Sequence, residues 1–234
     1  MKVEIVTHRS GEEAVVEFDY QPRTEGEKPM VLDVLLQAQV NGMPELAFRY
    51  GCRARNCGVC TVDINGRPRL ACRARIKEGD RVSAMATLPV LSDLVVRRDS
   101  IARQMRGRLP AQAAGNDLNV EAPSEYHELT ACVECYACLH GCPMHARNLE
   151  AVDEGARAGE GYRWGNPFSL LKLQMVRLDP LSAAADKDAA LEHAVDLGLA
   201  DCVDCPGCKC GIGIDLKKGV VKTLVDAAKE RSLL

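Results

Sequence analysis

Cysteine is the residue whose number and spacing in this chain could do chemistry, because twelve cysteines fall into three groups of four. Long segments without cysteine separate the groups, whereas small secreted domains spread their disulfide cysteines along the whole chain. Clusters of this kind favour metal sites in a reducing compartment. The groups are Cys52, Cys57, Cys60 and Cys72; Cys132, Cys135, Cys138 and Cys142; and Cys202, Cys205, Cys208 and Cys210.

The first group has the pattern C-x4-C-x2-C-x11-C. This pattern is typical of the [2Fe–2S] site of plant-type ferredoxins, with three ligands on one loop and a distant fourth. A structural zinc site is the alternative, but zinc ribbons need two close cysteine pairs, which this pattern lacks. Gly51 and Gly58 are expected to leave room for backbone N–H groups to approach the sulfur atoms.

Basic residues surround the first group, and Asp63 is the one acidic residue between positions 49 and 75. A [2Fe–2S] unit held by four thiolates is negatively charged, so nearby guanidinium groups would stabilise its reduced form and raise its reduction potential. A solvated basic face or a docking patch for an acidic partner is the alternative. The arginines are Arg49, Arg53, Arg55, Arg67, Arg69, Arg73 and Arg75.

The second group reads C-x2-C-x2-C-x3-C-P, the run found in bacterial ferredoxins. In two-cluster ferredoxins the fourth cysteine of this run binds the other cluster, so a further cluster is expected. The third group repeats the three-cysteine loop from Cys202 to Cys208, and Cys210 stands where a C-P ending would be expected. The second and third groups therefore predict two interlocked cubane clusters.

Crossed ligation divides these eight cysteines into two complete sets. Cys210 is the weak member, because it follows Cys208 after one residue where three are usual and lacks the proline. An unligated buried thiol is the alternative for Cys210. The predicted sets are Cys132, Cys135, Cys138 and Cys210 for one [4Fe–4S] cluster, and Cys142, Cys202, Cys205 and Cys208 for a second.

The elements around the first group predict an α+β fold whose N-terminal part is a β-grasp domain of plant-type ferredoxin, over residues 1–95. Alternating apolar residues indicate strands, and the Asn65-Gly66 pair indicates a type I′ hairpin turn. The predicted elements are strands over 2–8 and 14–20, a helix over 30–39, a hairpin over 61–70 and a last strand over 81–87.

The remainder, residues 96–234, is predicted to be a mainly helical domain of the bacterial two-cluster ferredoxin type. A Gly/Pro/Ala-rich connection over 107–125 is expected to run over the surface. Asn-Pro and Asp-Pro pairs are typical helix starts. The predicted helices are 94–106, one starting at Asn166-Pro167 and ending at 175, one starting at Asp179-Pro180 and ending at 195, and 215–229.

Composition narrows the possible partners. The formal charge of −3 and a pI near 6.0 argue against nucleic acid or anionic lipid. The longest apolar stretches, such as 31–36, are far shorter than the roughly 18 to 20 residues of a membrane span, and the N-terminus does not resemble a signal peptide. We expect a cytoplasmic protein with no membrane span of its own.

The order of the motifs resembles the iron–sulfur subunit of the succinate dehydrogenase and fumarate reductase family. A plant-type motif comes first and two interlocked cubane motifs follow, so the resemblance covers nearly the whole chain. The carrying segments are FRYGCRARNCGVCTVDINGRPRLAC at 48–72, LPVLSDLVV at 88–96, CVECYACLHGCP at 132–143 and CVDCPGCKCGIGID at 202–215.

This resemblance implies an electron-transfer subunit of an oxidoreductase with no catalytic residue of its own. Electrons would pass between FAD in a flavoprotein subunit and a quinone or another acceptor, as in the tricarboxylic acid cycle and respiratory chain. The implied partners are that flavoprotein and either membrane anchor subunits or another electron-carrier subunit. They would hold the chain at the cytoplasmic face of the membrane.

Two departures from the family pattern affect the acceptor, and the spacing at Cys210 is a third departure, which affects the middle cluster. The third cluster of the family is usually [3Fe–4S], but Cys205 occupies the position that lacks a cysteine there, which implies [4Fe–4S]; the three-iron form is the alternative if Cys205 is not a ligand. The tryptophan and histidine usual in quinone-reducing members are replaced by the 144–147 segment and Val203. His145 is expected to be a surface group, with tuning of the distal cluster as its alternative.

The alternative function is that of the iron–sulfur subunit of a related flavoenzyme acting on another organic acid. A thiol/disulfide system or a soluble electron carrier would then stand at the other end of the electron path.

Overall fold

The computed structural model describes residues 1–110, 119–153 and 161–234, which form two compact units. The first unit contains Met1–Arg97 and also Val133–His140, and the second contains Arg98–Cys132 and Gly141–Leu234. The second cysteine group is therefore divided between the units. The domain ranges 1–95 and 96–234 remain a prediction, and residues 111–118 of the predicted connection lie outside the described residues.

A five-stranded mixed sheet forms the core of the first unit, in the order β2-β1-β5-β3-β4. Strands β1 and β5 are parallel, with Ile5 opposite Val82, and the other neighbours are antiparallel. The predicted strand pair at the N-terminus and the predicted hairpin are confirmed. The strands are β1 (Lys2–Arg9), β2 (Glu12–Asp19), β3 (Thr61–Ile64), β4 (Arg67–Leu70) and β5 (Arg81–Ser83).

The turn between β3 and β4 has the predicted type I′ character. Asn65 and Gly66 have φ of 50° and 74°, and this turn needs a left-handed backbone at both central residues. The prediction that the strand after Asp80 is the last one is wrong, because β6 (Val90–Ser92) and β7 (Val95–Val96) follow as a separate antiparallel pair.

The predicted helix of the first unit is α1 (Val31–Asn41), which buries the side chains of Val31, Val34 and Leu35. Its first N–H groups donate to the chain beside Cys72: Val31 N–H to Ala74 O at 2.9 Å, and Leu32 N–H to Ala71 O at 3.0 Å. The first N–H groups of a helix lack partners inside the helix, so these bonds satisfy them and hold the Cys72 segment in place.

Helices make up the second unit, and α5 lies at its centre. Leu170, Leu171 and Leu173 on α5 are buried, and α5 packs against α2, α3 and α6. A short π-helix, Lys217–Lys222, leads directly into the last helix. The helices are α2 (Asp99–Met105), α3 (Ser124–Thr130), α4 (Pro143–Asp153), α5 (Pro167–Leu178), α6 (Ala184–Asp196) and α7 (Thr223–Glu230).

The start of α5 agrees with the prediction. Asn166 Oδ1 accepts hydrogen bonds from the N–H groups of Phe168 and Ser169, at 3.1 and 3.0 Å, and Pro167 occupies the first helical position. These are the N-cap interactions that an Asn-Pro pair supplies.

Two helix starts differ from the prediction. Helix α2 begins only at Asp99, because Val95–Val96 pairs with β6 as a strand. Helix α6 begins at Ala184, because Asp179 closes a turn: its Oδ1 accepts from Leu181 N–H at 2.9 Å, and its carbonyl oxygen accepts from Ser182 N–H at 3.2 Å. Helices α3 and α4 were not predicted.

Candidate metal centres

The loop between α1 and β3 surrounds the sulfur atom of Cys52 with backbone donors. Cys52 Sγ accepts from Ala54 N–H at 3.3 Å and Asn56 N–H at 3.2 Å, and Cys52 N–H donates to Cys57 Sγ at 3.5 Å. These donors stabilise the thiolate and lower the pKa of Cys52 to about 7. The loop is therefore prepared to hold a thiolate ligand.

Cys60 and Cys72 complete the first group from the sheet side. Cys60 directly precedes β3 and Cys72 follows β4, and Ala71 N–H donates to Cys60 O at 3.0 Å. Burial raises the pKa of Cys60 to about 11, and the neighbouring thiols of Cys72 and Cys57 act in the same direction. The hairpin thus brings the fourth cysteine, distant in sequence, back to the other three.

The two glycines of this loop have different neighbours. A Cβ built on Gly51 would lie 3.3 Å from Cys57 Sγ, which agrees with the prediction that Gly51 gives access to a sulfur atom. A Cβ on Gly58 would instead lie 2.8 Å from Cys135 N and 2.9 Å from Cys135 Cα. Gly58 therefore makes room for the backbone of the second cysteine motif, and its expected role beside a sulfur atom stays a prediction.

The second cysteine motif has a tightly folded backbone. Glu134 and Tyr136 have φ of 53° and 60°, and Cys132 N–H donates to Leu129 O at 3.1 Å. Cys135 is buried, whereas Cys132 and Cys138 are partly exposed. Alternating left-handed residues turn successive backbone groups towards one side, which is the geometry of the concave N–H nests around iron–sulfur sites.

Cys142 lies at the start of α4, directly before Pro143. The N–H groups of His145 and Met144 donate to Cys142 Sγ, so the sulfur atom acts as the N-cap acceptor. Burial raises the pKa of the Cys142 thiol, and these two donors act in the opposite direction. These contacts explain why proline follows Cys142: proline has no N–H group that needs an acceptor, and the next two residues donate to the sulfur atom.

The third group surrounds Cys142, which is 60 positions away from Cys202 in sequence. Burial raises the pKa of Cys202 to about 12 and that of Cys208 to about 11, and the thiols of Cys142 and Cys205 raise both further. The thiols of Cys142 and Cys205 therefore lie close to those of both Cys202 and Cys208. The structure thus brings Cys142, Cys202, Cys205 and Cys208 into one site within the second unit.

Cys210 does not belong to that group of interacting thiols. Its Sγ accepts from Ile212 N–H at 3.5 Å, and the thiol is partly exposed. For the set of Cys132, Cys135, Cys138 and Cys210, ligation remains a prediction from the spacing.

The chemistry of the donor sets fits groups that contain several metal atoms. None of the twelve cysteines forms a disulfide. Within the described ranges, no three Cys, His, Asp or Glu side chains converge on the position of a single ion. A [2Fe–2S] group divides its four thiolates between two iron atoms and a [4Fe–4S] cubane places one on each of four, whereas a zinc ion needs all four on one tetrahedron. Four thiols in each cysteine group match the number of thiolates that either cluster type takes.

Two further residues have functions or positions that the spacing did not indicate. Lys217 Nζ donates to Cys205 O at 2.6 Å and to Cys202 O at 3.2 Å, and only the folded chain brings this lysine to the third group. His145 is 1% exposed and packs edge-to-face against Tyr162, with ring centroids 5.2 Å apart. The expectation of a surface position for His145 is wrong.

The arginines around the first group are all exposed, as a solvated or docking face requires.

Comparison with known proteins gives the same class of site. Residues 2–103 match the family model described as a 2Fe-2S iron-sulfur cluster binding domain. A solved chain of the Mycobacterium smegmatis Sdh1 complex in the apo form has a TM-score of 0.76 at 22% identity, covering 100% of this chain and 97% of that one, which shows a shared fold. The protein is therefore an iron–sulfur protein.

Several curated proteins are similar to this chain. The chain is 30% identical over 186 residues to a component of the CoM/CoB fumarate reductase of Methanothermobacter marburgensis, covering 78% of this chain and 34% of that protein. It is 27% identical to the fumarate reductase iron-sulfur subunit of Escherichia coli (67% and 68% covered), and 31% identical to the mitochondrial succinate dehydrogenase iron-sulfur subunit 1 of Oryza sativa (58% and 53% covered). The chain is thus similar to iron–sulfur subunits of succinate dehydrogenase and fumarate reductase, and spans about a third of the length of the M. marburgensis relative.

Among the described residues, no helix combines the length and the apolar character needed to cross a bilayer.

Proposed function

We propose that this chain is the electron-transfer subunit of a succinate dehydrogenase or fumarate reductase-like oxidoreductase. It would relay electrons between a flavoprotein subunit that carries FAD and a quinone or another acceptor. The observation that carries the proposal is the position of Cys142 among Cys202, Cys205 and Cys208. Interlocked cubane motifs require this long-range arrangement, and independent metal loops would not produce it.

The ligand sets of the proposal follow the three groups, with a β-grasp ferredoxin domain and a two-cluster ferredoxin domain as their frames. When bound, the clusters supply one-electron carriers. Cys52, Cys57, Cys60 and Cys72 would hold a [2Fe–2S] cluster, and Cys142, Cys202, Cys205 and Cys208 would hold a [4Fe–4S] cluster. A second [4Fe–4S] cluster on Cys132, Cys135, Cys138 and Cys210 rests on the spacing alone.

The work of the protein residues is to hold the thiolates, exclude water and donate N–H groups to sulfur. Donors on Cys52 Sγ and Cys142 Sγ stabilise negative charge, which favours the reduced form of whatever these sulfurs bind. Burial of Cys60 and Cys202 acts in the opposite direction, because a low dielectric disfavours added charge. Substrate chemistry would belong to the flavin of the partner.

Metal and sulfide analysis of the anaerobically purified full chain tests this function. The proposal expects about ten iron and ten acid-labile sulfide per chain, from one two-iron and two four-iron groups. A colourless protein with about three zinc ions would overturn it. In the electron paramagnetic resonance (EPR) spectrum of the oxidised protein, a strong [3Fe–4S] signal from an undamaged preparation would contradict ligation by Cys205.

The identity of the acceptor has a second candidate, a thiol/disulfide system or a soluble carrier linked to a related flavoenzyme. Cys205 and Val203 favour it, because they replace the residues usual in quinone-linked members. The name of the M. marburgensis relative likewise specifies CoM/CoB and not a quinone.

Purification of the native complex separates the two acceptors. A flavoprotein that copurifies with small membrane subunits would support a quinone as the acceptor. It would also support attachment of this chain to the cytoplasmic face of the membrane through those subunits. A flavoprotein accompanied by a cysteine-rich disulfide reductase-like subunit supports the thiol system.

A further inference from the structure

The loop that carries Cys202, Cys205 and Cys208 contacts the side chain of Lys217. The Nζ atom of Lys217 donates to Cys205 O at 2.6 Å and to Cys202 O at 3.2 Å. The aliphatic part of the same side chain lies along Gly207, where a built Cβ would be 3.5 Å from Lys217 Cδ. The lysine therefore contacts the loop at three points between its first and last cysteines.

Lys217 lies at an irregularity in its own helix. It is the first residue of the π-helix Lys217–Lys222, which precedes α7. π-Helical turns are rare and are frequently found at functional sites. Gly207 has φ of 119°, a conformation that residues with a Cβ rarely adopt, so the loop geometry around the lysine also depends on glycine.

The ammonium group of Lys217 lies at the backbone of two cysteines of the loop, within hydrogen-bond distance of both carbonyl oxygens. Arg147, a second basic residue near Cys142, is half-exposed and paired with Asp201 at 2.5 Å. Lys217 is hydrogen-bonded directly to the ligand loop, so its charge is held at a constant position.

We propose that Lys217 is the positioning residue of the distal site: it anchors the Cys202–Cys208 loop, and its ammonium charge raises the reduction potential of the cluster held by Cys142, Cys202, Cys205 and Cys208. This inference rests on the proposed function. Adding an electron to a thiolate-bound cluster increases its negative charge, and a fixed cation at the loop stabilises that state.

The test is an EPR-monitored redox titration of the full chain carrying Lys217→Gln, Lys217→Arg or Lys218→Gln. Cys205→Ala marks which signal belongs to the distal site. Glutamine keeps an N–H donor for the two carbonyl groups but removes the charge, whereas arginine keeps both. Lys218 is the matched control, because it is exposed and adjacent in sequence.

We expect Lys217→Gln to lower the midpoint potential of the distal signal by about 59 mV, which is a tenfold change in a one-electron equilibrium constant. Lys217→Arg and Lys218→Gln should stay close to the unchanged chain. An unshifted midpoint in a Lys217→Gln chain with full iron content overturns the inference, and so does an equal shift in Lys218→Gln.

Iron content keeps the test decisive if Lys217→Gln cannot hold the distal cluster. Loss of iron in Lys217→Gln but not in Lys218→Gln supports the anchoring role, and equal loss in both overturns it. Failure of the proposed function would be visible in the unchanged chain, as absence of iron and sulfide, whereas failure of this inference is visible only in the differences between variants.

Discussion

Gly58 lies against the carbonyl group of Val133, so closely that the space which a Cβ at position 58 needs is filled by that oxygen and by the backbone of Cys135. Seventy-five residues separate the two positions in sequence. The loop of the first cysteine group thus contacts the segment of the second without an intervening side chain. This backbone contact leaves no space for a side chain larger than that of glycine at position 58.

Gly58→Ala should therefore be strongly destabilising. The substitution combines a strained φ of 65° with overpacking against backbone atoms that cannot rotate away, for about 3 kcal/mol or more. Gly66→Ala is the matched control, since Gly66 has φ of 74° but open space around it, and should cost about 1 kcal/mol. Thermal unfolding of both variants measures the difference, and equal losses would show that the contact with Val133 is unimportant.

Two buried aspartates of the first unit should respond in opposite ways to replacement by asparagine. Asp63 is 2% exposed, its Oδ2 accepts from Ala86 N–H at 3.0 Å, and its Oδ1 has no hydrogen-bond partner among the described residues. Burial raises the pKa of Asp63, while the Ala86 N–H and the charge of His140 oppose the rise.

The sign of the effect at Asp63 follows from proton uptake. Because its folded-state pKa lies above the ordinary value of 3.8, the folded chain binds more protons than the unfolded chain between the two values, and the free energy of unfolding falls as pH rises through that window. Asp63→Asn should thus be more stable than the unchanged chain at pH 8, with a difference that narrows towards pH 5. Denaturant midpoints at both pH values measure it, and a destabilised Asp63→Asn at pH 8 would contradict the prediction.

Asp93→Asn should instead destabilise the unit, by about 1 to 3 kcal/mol. Asp93 is fully buried, and its carboxylate accepts from Arg9 Nε at 3.1 Å and from Ala47 N–H at 2.8 Å. An amide cannot match a charged acceptor for the guanidinium group. The same denaturant titration serves both variants, and an Asp93→Asn chain as stable as the unchanged one would refute this account.

Alkylation of the iron-free chain should select Cys52 within the first group. Its pKa of about 7, lowered by the N–H groups of Ala54 and Asn56, makes half of the thiol a thiolate near neutral pH, whereas Cys60, with a pKa of about 11, stays protonated. Iodoacetamide labelling followed by peptide mass spectrometry should show half-maximal reaction of Cys52 near pH 7. A profile centred near the ordinary value of 9.0 would contradict the donor geometry, and circular dichroism checks that the chain remains folded.

Cys210→Ala tests the least regular member of the predicted ligand sets. If Cys210 is a ligand, the variant should lose between one iron atom, as a three-iron form, and all four, as should Cys138→Ala. Iron and sulfide analysis of both variants measures this loss. Retention of full iron in Cys210→Ala together with loss in Cys138→Ala would identify Cys210 as an unligated thiol.

Elements set by neighbouring residues were predictable from the sequence. The Asn65-Gly66 turn and the Asn166 cap depend on contacts within about four residues, so their chemistry is visible in the local order of residues. The starts of α2 and α6 were not predictable, because a strand pair and a turn at Asp179 compete with the helix there. Local propensity decides an element only where no tertiary contact opposes it.

The burial of His145 likewise could not be predicted from the neighbouring residues. His145 follows a C-P pair and has the polarity of a surface residue, yet it packs against Tyr162 in the interior. Its backbone position is decided by the N-cap at Cys142, and its surroundings by α4 and the chain at Tyr162, which only the fold brings near.

The sequence by itself determined the chemistry of this protein: the number of thiols, their grouping into three sets and the presence of Cys205. These properties are set by the order of residues along the chain, and the cysteine patterns of metal sites are recognised from that order. The tertiary structure decided which parts of the chain meet, namely Gly58 with Val133, Cys142 with Cys202, and Lys217 with the ligand loop. Such contacts depend on the packing of elements that are far apart in sequence, and no local pattern specifies that packing.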